Sequence, residues 1–316
     1  MSKLRIVFMG TPDFAVPSLQ AIYEEGYDIV GVITQPDRPR GRGQKLTFSP
    51  IKEKALELGL EVMQPLKVKD PSFIAELARL QPDLIIVVAF GQILPKALLE
   101  LPKLGCINVH GSLLPAYRGA APIQRAILNG QKETGITTML MDVGLDTGDM
   151  LLKESVEITP EMTFGQLHDL LAKTGARVLV DTVRLRKDNK IMPEPQDNAL
   201  ATYAAMIKRE DELINWEDGV EKIHNQVRGL DPWPGAYTLW EGQGLKIRGS
   251  IVQNISSRGV EPGTVTQFVK GQGFVVQCGQ GSLLVTMVQP IGKKVMAADS
   301  FANGYRLEVG YVFRTS

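Results

Sequence analysis

From Leu4 to Arg186 the sequence switches repeatedly between two hydrophobic periods, and this alternation restricts the fold more than any other feature. Short β-branched runs at 4–9, 29–34, 84–88, 106–109 and 136–141 read as buried strands. Residues 14–25, 51–58, 73–80, 122–129 and 164–186 carry apolar side chains at helical spacing, with Thr163 as an N-cap for the last of them. The pattern predicts a doubly wound, mostly parallel, Rossmann-like α/β sheet covered by helices on both faces.

That alternation stops at a polar, proline-containing stretch, 188–199, with neither period, which reads as a linker. One more helical pattern (216–227) follows, then a break at Pro232-Trp233-Pro234-Gly235, then short strand-like runs separated by Gly, Gln and Ser turns. These predict a C-terminal β-barrel, with an OB-like topology among those the spacing allows. The expected organisation is a catalytic domain over 1–189, a linker over 190–207 and the barrel domain over 208–316. At 316 residues the chain is long for one hydrophobic core, which agrees with two domains.

Composition is informative mainly by exclusion. The 35 Lys and Arg residues balance 35 Asp and Glu residues, so any basic partner surface is local. Cys106 and Cys278 follow no paired spacing of a metal or redox motif, so neither a disulfide nor a metal site is expected. The apolar run at the N-terminus is too short for a signal peptide, and no stretch is long enough to span a membrane. A soluble cytoplasmic protein, monomeric and without a membrane partner, is the expectation.

The first βα turn reads Gly10-Thr-Pro-Asp-Phe-Ala, not the glycine fingerprint of dinucleotide binding, and no P-loop occurs. Open α/β sheets still bind ligands at the carboxyl ends of their strands. There, strand alternation puts Asn108 and His110 on one face, two residues apart. Such a pair often only caps the next turn, and spacing leaves that reading open. Met141 to Asp149 adds a glycine-containing loop with carboxylates, Asp146 among them, after a neighbouring strand. An ordinary Asp-Gly turn accounts for many such loops. The conjunction of Asn, His and a loop carboxylate at one sheet edge favours chemistry.

The segments Gly10-Thr-Pro-Asp13, Asn108-Val-His110, Ser112-Leu-Leu-Pro-Ala-Tyr-Arg-Gly119, Asp146-Thr-Gly-Asp149, Ala201-Thr-Tyr-Ala204 and Pro232-Trp-Pro-Gly235 together resemble the methionyl-tRNA formyltransferases, within the folate-dependent formyltransferase family. The resemblance spans both predicted domains. It implies transfer of a formyl group from 10-formyltetrahydrofolate to initiator methionyl-tRNA, with Asn108, His110 and Asp146 catalytic and no metal required. Attack on an amide-like carbon creates a tetrahedral oxyanion, for which Asn108 and His110 would be donors, while Asp146 would orient His110 and move a proton.

The same resemblance implies folate contacts at Phe90, Gly91, Gln92, Ile93 and Leu94, and at Ser112, Leu113, Leu114 and Pro115. It implies tRNA contacts in the basic segment Arg38, Arg40, Arg42 and Lys45. Four cations interleaved with Gly and Pro suit an irregular loop on phosphates, although a merely solvated loop has the same composition. From Gly242 to Ser316, eight cations face three carboxylates, enough for a modest nucleic-acid surface. Rival expectations are a related enzyme acting on a small amine, such as glycinamide ribonucleotide or an amino sugar, a non-catalytic RNA-binding protein, and a nicotinamide-dependent oxidoreductase. The missing glycine fingerprint weakens the last.

Overall fold

The computed structural model describes residues 3–40, 45–253 and 259–314, which form two compact units. The first comprises Met1–Pro122, Thr134–Glu157 and His168–Ala204, and the second Ile123–Glu133, Ile158–Leu167 and Ala205–Ser316.

In the first unit the chain runs through β1 (Arg5–Gly10), α1 (Val16–Glu24), β2 (Asp28–Ile33), β3 (Arg38–Arg40), β4 (Lys45–Thr47), α2 (Pro50–Glu57), β5 (Val62–Met63), α3 (Pro71–Arg79), β6 (Leu84–Val88), α4 (Lys96–Leu99), β7 (Cys106–His110) and β8 (Arg118–Gly119). After α5 (Pro122–Leu128) come β9 (Glu133–Leu140), β10 (Met150–Glu157), α6 (Phe164–Lys187) and β11 (Tyr203–Ala204). One sheet has the order β10-β9-β7-β6-β1-β2-β5. Its strands from β5 to β7 are parallel, and β9 lies antiparallel to β7. The five residues of β6, Leu-Ile-Ile-Val-Val, are all buried, as expected of a strand covered on both faces. Each such side chain contributes about 1.5–3 kcal/mol on leaving water.

Helix starts follow local chemistry. Ser49 caps α2 by accepting from the Lys52 amide, with Pro50 preset in the first turn. Thr163 and Gln166 exchange bonds at the start of α6, the amide of Thr163 donating to Gln166 Oε1 at 3.0 Å. The chain leaves β1 toward β2 on one side and later returns through β6 on the other, so strand order reverses between β1 and β6. A doubly wound sheet opens its ligand crevice at that point.

Two features differ from the sequence expectation. The basic segment is not irregular: β3 and β4 pair as an antiparallel hairpin, Arg38 opposite Thr47. Its Pro39 is tolerated because a two-stranded ribbon leaves the backbone a free edge. The polar stretch after α6 is also more than a tether. Glu194 pairs with Met150, and β11 pairs in parallel with β8, so residues through Ala204 pack with the first unit.

The second unit contains α7 (Arg209–Glu212), α8 (Val220–Gly229), β12 (Tyr237–Trp240), β13 (Gln243–Gln253), β14 (Val265–Val269), β15 (Gly273–Gln277), β16 (Ser282–Pro290), β17 (Met296–Ala297) and α9 (Ala298–Gly304). Its antiparallel sheet runs β12-β13-β16-β15-β14, with β17 beside β16. The C-terminal segment bridges both edges, Arg314 pairing with Leu239 and Val312 with Thr264, which curls the sheet into a barrel. Phe274, Phe301, Phe313 and Trp216 fill its core. The indole of Trp216 donates to Thr238 Oγ1 at 3.0 Å, and α8 begins only at Val220, after Gly219 in extended backbone.

Candidate active site

The switch point holds a cavity of about 310 Å³ among residues that follow β1, β2 and β6, with Thr11, Gln35, Arg38, Ser49, Phe90 and Gly91 among its lining. The turn after β6 is shaped by Ala89, whose φ of 47° is left-handed, and is fixed by Thr11 Oγ1 and Gln35 Nε2 donating to the Phe90 carbonyl at 3.0 and 3.2 Å. Arg38, from the basic hairpin, and Phe90-Gly91, from the expected folate segment, thus border one space. Below the hairpin, Lys52 Nζ bonds Asp37 at 2.5 Å and Gln64 Nε2 bonds the other oxygen of Asp37 at 2.9 Å. The bond from Lys52 first, then that from Gln64, holds the Asp37 carboxyl below the usual carboxylate range. Arg42 lies outside the described residues.

Strand β7 delivers Asn108 and His110 to the same sheet edge. In the register Asn108 stands opposite Met139 and His110 opposite Thr137. Among the described residues the Asn108 carboxamide has no hydrogen-bond partner, although the residue is half-buried. An amide left open at a strand end is available to a ligand.

His110 is buried and its Nε2 lies 2.9 Å from the Tyr117 carbonyl. A carbonyl oxygen only accepts, so Nε2 carries a proton, and a neutral ring would present its lone pair at Nδ1. Facing Nδ1 at 3.7 Å is Asp146 Oδ2. That separation is too long for a hydrogen bond, and a proton taken up by the pair would lie between these two atoms. The N–H expected to await an oxyanion is therefore committed to Tyr117.

Asp146 sits in a left-handed conformation, φ 53°, and its Oδ2 accepts from the Gly119 amide at 2.8 Å. Asp142 binds the same loop internally, accepting from the Gly144 amide and from Thr147 Oγ1. A Cβ at Gly148 would overlap the Leu140 carbonyl, so the loop's close return to β9 requires glycine. The segment Tyr117-Arg118-Gly119 touches both ionisable residues, one through a carbonyl and one through an amide.

The remaining expected folate residues divide by environment. Phe90 and Leu94 are packed in the sheet core, Ile93 is 88% exposed, and Gln92 Oε1 accepts from the Val68 amide at 3.0 Å. Ser112 Oγ donates to the Ala116 carbonyl, and Thr137 Oγ1 ties both the Ser112 carbonyl and the Leu114 amide to β9. Leu114 packs with Met139 and Met150. Arg118 is 2% exposed and donates twice to Gln196, a contact that no spacing rule signals.

The chain belongs to the formyl transferase family: residues 4–183 match the family described as Formyl transferase, and residues 206–306 match Formyl transferase, C-terminal domain. Among its relatives, the methionyl-tRNA formyltransferase of Moorella thermoacetica is 54% identical over 309 residues, covering 98% of this chain and 99% of that one. That of Geobacter sulfurreducens is 49% identical, over 98% of this chain and 96% of its own. The solved methionyl-tRNA formyltransferase from Clostridium thermocellum shares the fold with a TM-score of 0.55 at 19% identity, over 79% of this chain and 94% of that one. An N-formyltransferase from Helicobacter canadensis, solved with folinic acid and dTDP-3-aminofucose, gives 0.65 at 22%, over 92% and 100%.

Proposed function

We propose that this enzyme transfers the formyl group of 10-formyltetrahydrofolate to the amino group of initiator methionyl-tRNA, acting as a cytoplasmic monomer. The observation that carries the reading is the convergence of His110 Nδ1 and Asp146 Oδ2 at one strand end, on the same strand as an unpartnered Asn108 amide. Near-full-length similarity to enzymes named for this reaction supports it.

The folate co-substrate supplies a formyl carbon on a nitrogen that must regain a proton on leaving. Phe90 to Leu94 and Ser112 to Pro115 would hold it, beside the cavity at the strand switch. The protein's own part is donation and proton handling. Asn108 donates its amide N–H to the formyl oxygen as negative charge develops there. His110 accepts a proton from the attacking amine at Nδ1, and Asp146 stabilises the imidazolium across the gap. The pair then returns the proton to the departing nitrogen. Arg38, Arg40, Arg42 and Lys45 would meet the tRNA phosphates. No group of three or more metal-ligating side chains occurs among the described residues.

The acceptor is tested by measuring formyl transfer to charged initiator tRNA beside free methionine, glycinamide ribonucleotide and an amino sugar. The expected kcat/KM on tRNA exceeds the others by orders of magnitude. Equal or greater activity on a small amine would overturn the tRNA assignment while leaving the chemistry in place.

A further inference from the structure

We propose that Gln196, in the polar stretch after α6, is a positioning residue that holds Asp146 in its working geometry. The proposal rests on the reading of Asp146 as a proton-handling group. Gln196 Nε2 donates to two carbonyls, Asp146 O and Gly148 O, both at 2.8 Å. These flank the turn in which Asp146 adopts φ 53°, a conformation that costs a non-glycine residue energy and needs surrounding restraint.

The amide of Gln196 cannot reverse. Its Oε1 accepts from Arg118 Nε at 3.0 Å and Nη2 at 2.8 Å, and a guanidinium only donates. Arg118 is itself fixed by burial and by donating from Nη2 to Asn198 Oδ1 at 2.9 Å. With the oxygen so held, both N–H bonds of the amide point at the loop. Arg118 also lies between Tyr117, which accepts from His110, and Gly119, which donates to Asp146. One connected set of bonds therefore fixes the ring, the carboxylate and the backbone behind the carboxylate.

Only a side chain that accepts on one side and donates on the other can fill this place. Glu is isosteric and would bind Arg118 more strongly, but it has no N–H for the two carbonyls. Gln196→Glu thus keeps the contact with Arg118 and loses both bonds to the loop carbonyls. Its kcat for formyl transfer is expected to fall about tenfold or more, with KM for tRNA and folate within about twofold and a cooperative unfolding transition retained, since small misplacements of reacting groups carry large rate costs.

Gln196→Ala serves as a second variant, with the same split between kcat and KM. Wild-type kcat in Gln196→Glu, or losses of kcat, KM and Tm in parallel in both variants, would overturn the proposal. Asp146→Asn run alongside separates the two readings. If it abolishes transfer while Gln196→Glu does not, the positioning role fails and the Asp146 assignment stands. If Asp146→Asn retains turnover, the assignment itself fails.

Discussion

At the residue scale, the site assigns different work to three polar groups that the sequence presents as one set. Asn108 is the unpartnered donor. Asn108→Ala is therefore expected to lower kcat by about two to three orders of magnitude with little change in KM, the usual cost of one oxyanion donor. Steady-state kinetics with saturating folate checks this, and a rise in KM at unchanged kcat would make Asn108 a ground-state binding residue instead. Strand alternation was sufficient to place Asn108 and His110 together, because a period of two is fixed by the backbone. It could not reveal which nitrogen of His110 is free. That follows from the turn that brings the Tyr117 carbonyl to 2.9 Å from Nε2. Nor could it find Gln196, which meets Arg118 across 78 residues of sequence from within a segment whose composition resembles a linker.

At the element scale, the basic segment is a hairpin on a fixed base. Gly and Pro made a regular element look unavailable to it, yet Arg38–Arg40 and Lys45–Thr47 pair, and the Asp37–Lys52–Gln64 bonds anchor the chain just before the hairpin. Arg38 borders the switch-point cavity. Arg38→Ala is expected to raise KM for methionyl-tRNA about tenfold, leave kcat within about twofold, and reduce the slope of log affinity against log salt by about one. Affinity measured across a salt series reads this, and an unchanged slope would remove Arg38 from the phosphate contacts. Strand β10 escaped the sequence reading because it is an edge strand whose middle alternates half-buried and exposed residues, without a continuous apolar run.

On the scale of the whole molecule, each unit carries its own core, and the barrel unit contains a buried histidine that ties its stability to pH. His224 Nε2 donates to the Pro160 carbonyl at 3.3 Å, and Nδ1 accepts from Ser250 Oγ at 3.0 Å, an arrangement that suits the neutral ring. Burial, opposed by Glu161 and Glu221 and aided by Arg228, holds its pKa below the ordinary 6.5. The unfolded chain therefore binds a proton that the folded one refuses. Stability from this group is complete above about pH 6.5 and declines as pH falls below it, by at most about 1.4 kcal/mol per pH unit. Denaturant unfolding at pH 7.5 and 5.5 should show the loss in wild type and a smaller loss in His224→Gln. An equal pH dependence in the two proteins would show that another group is responsible. The two-unit architecture was legible in the change from alternating elements to short strands. Closure of the barrel was not, because it depends on single bridges made by Val312 and Arg314 at the end of the chain.

In the proposed mechanism Asp146 handles a proton with His110 during formyl transfer. Asn at this position accepts the left-handed backbone and can still bond the Gly119 amide, so Asp146→Asn removes the charge and little else. The direct measurement is the single-turnover rate of formyl transfer to initiator methionyl-tRNA by this variant, with tRNA affinity determined on the same preparation. The expected rate is lowered by about three orders of magnitude or more, in the range seen when an acid–base group is lost, with tRNA affinity within about twofold. A rate within tenfold of wild type, at equal affinity, would contradict it.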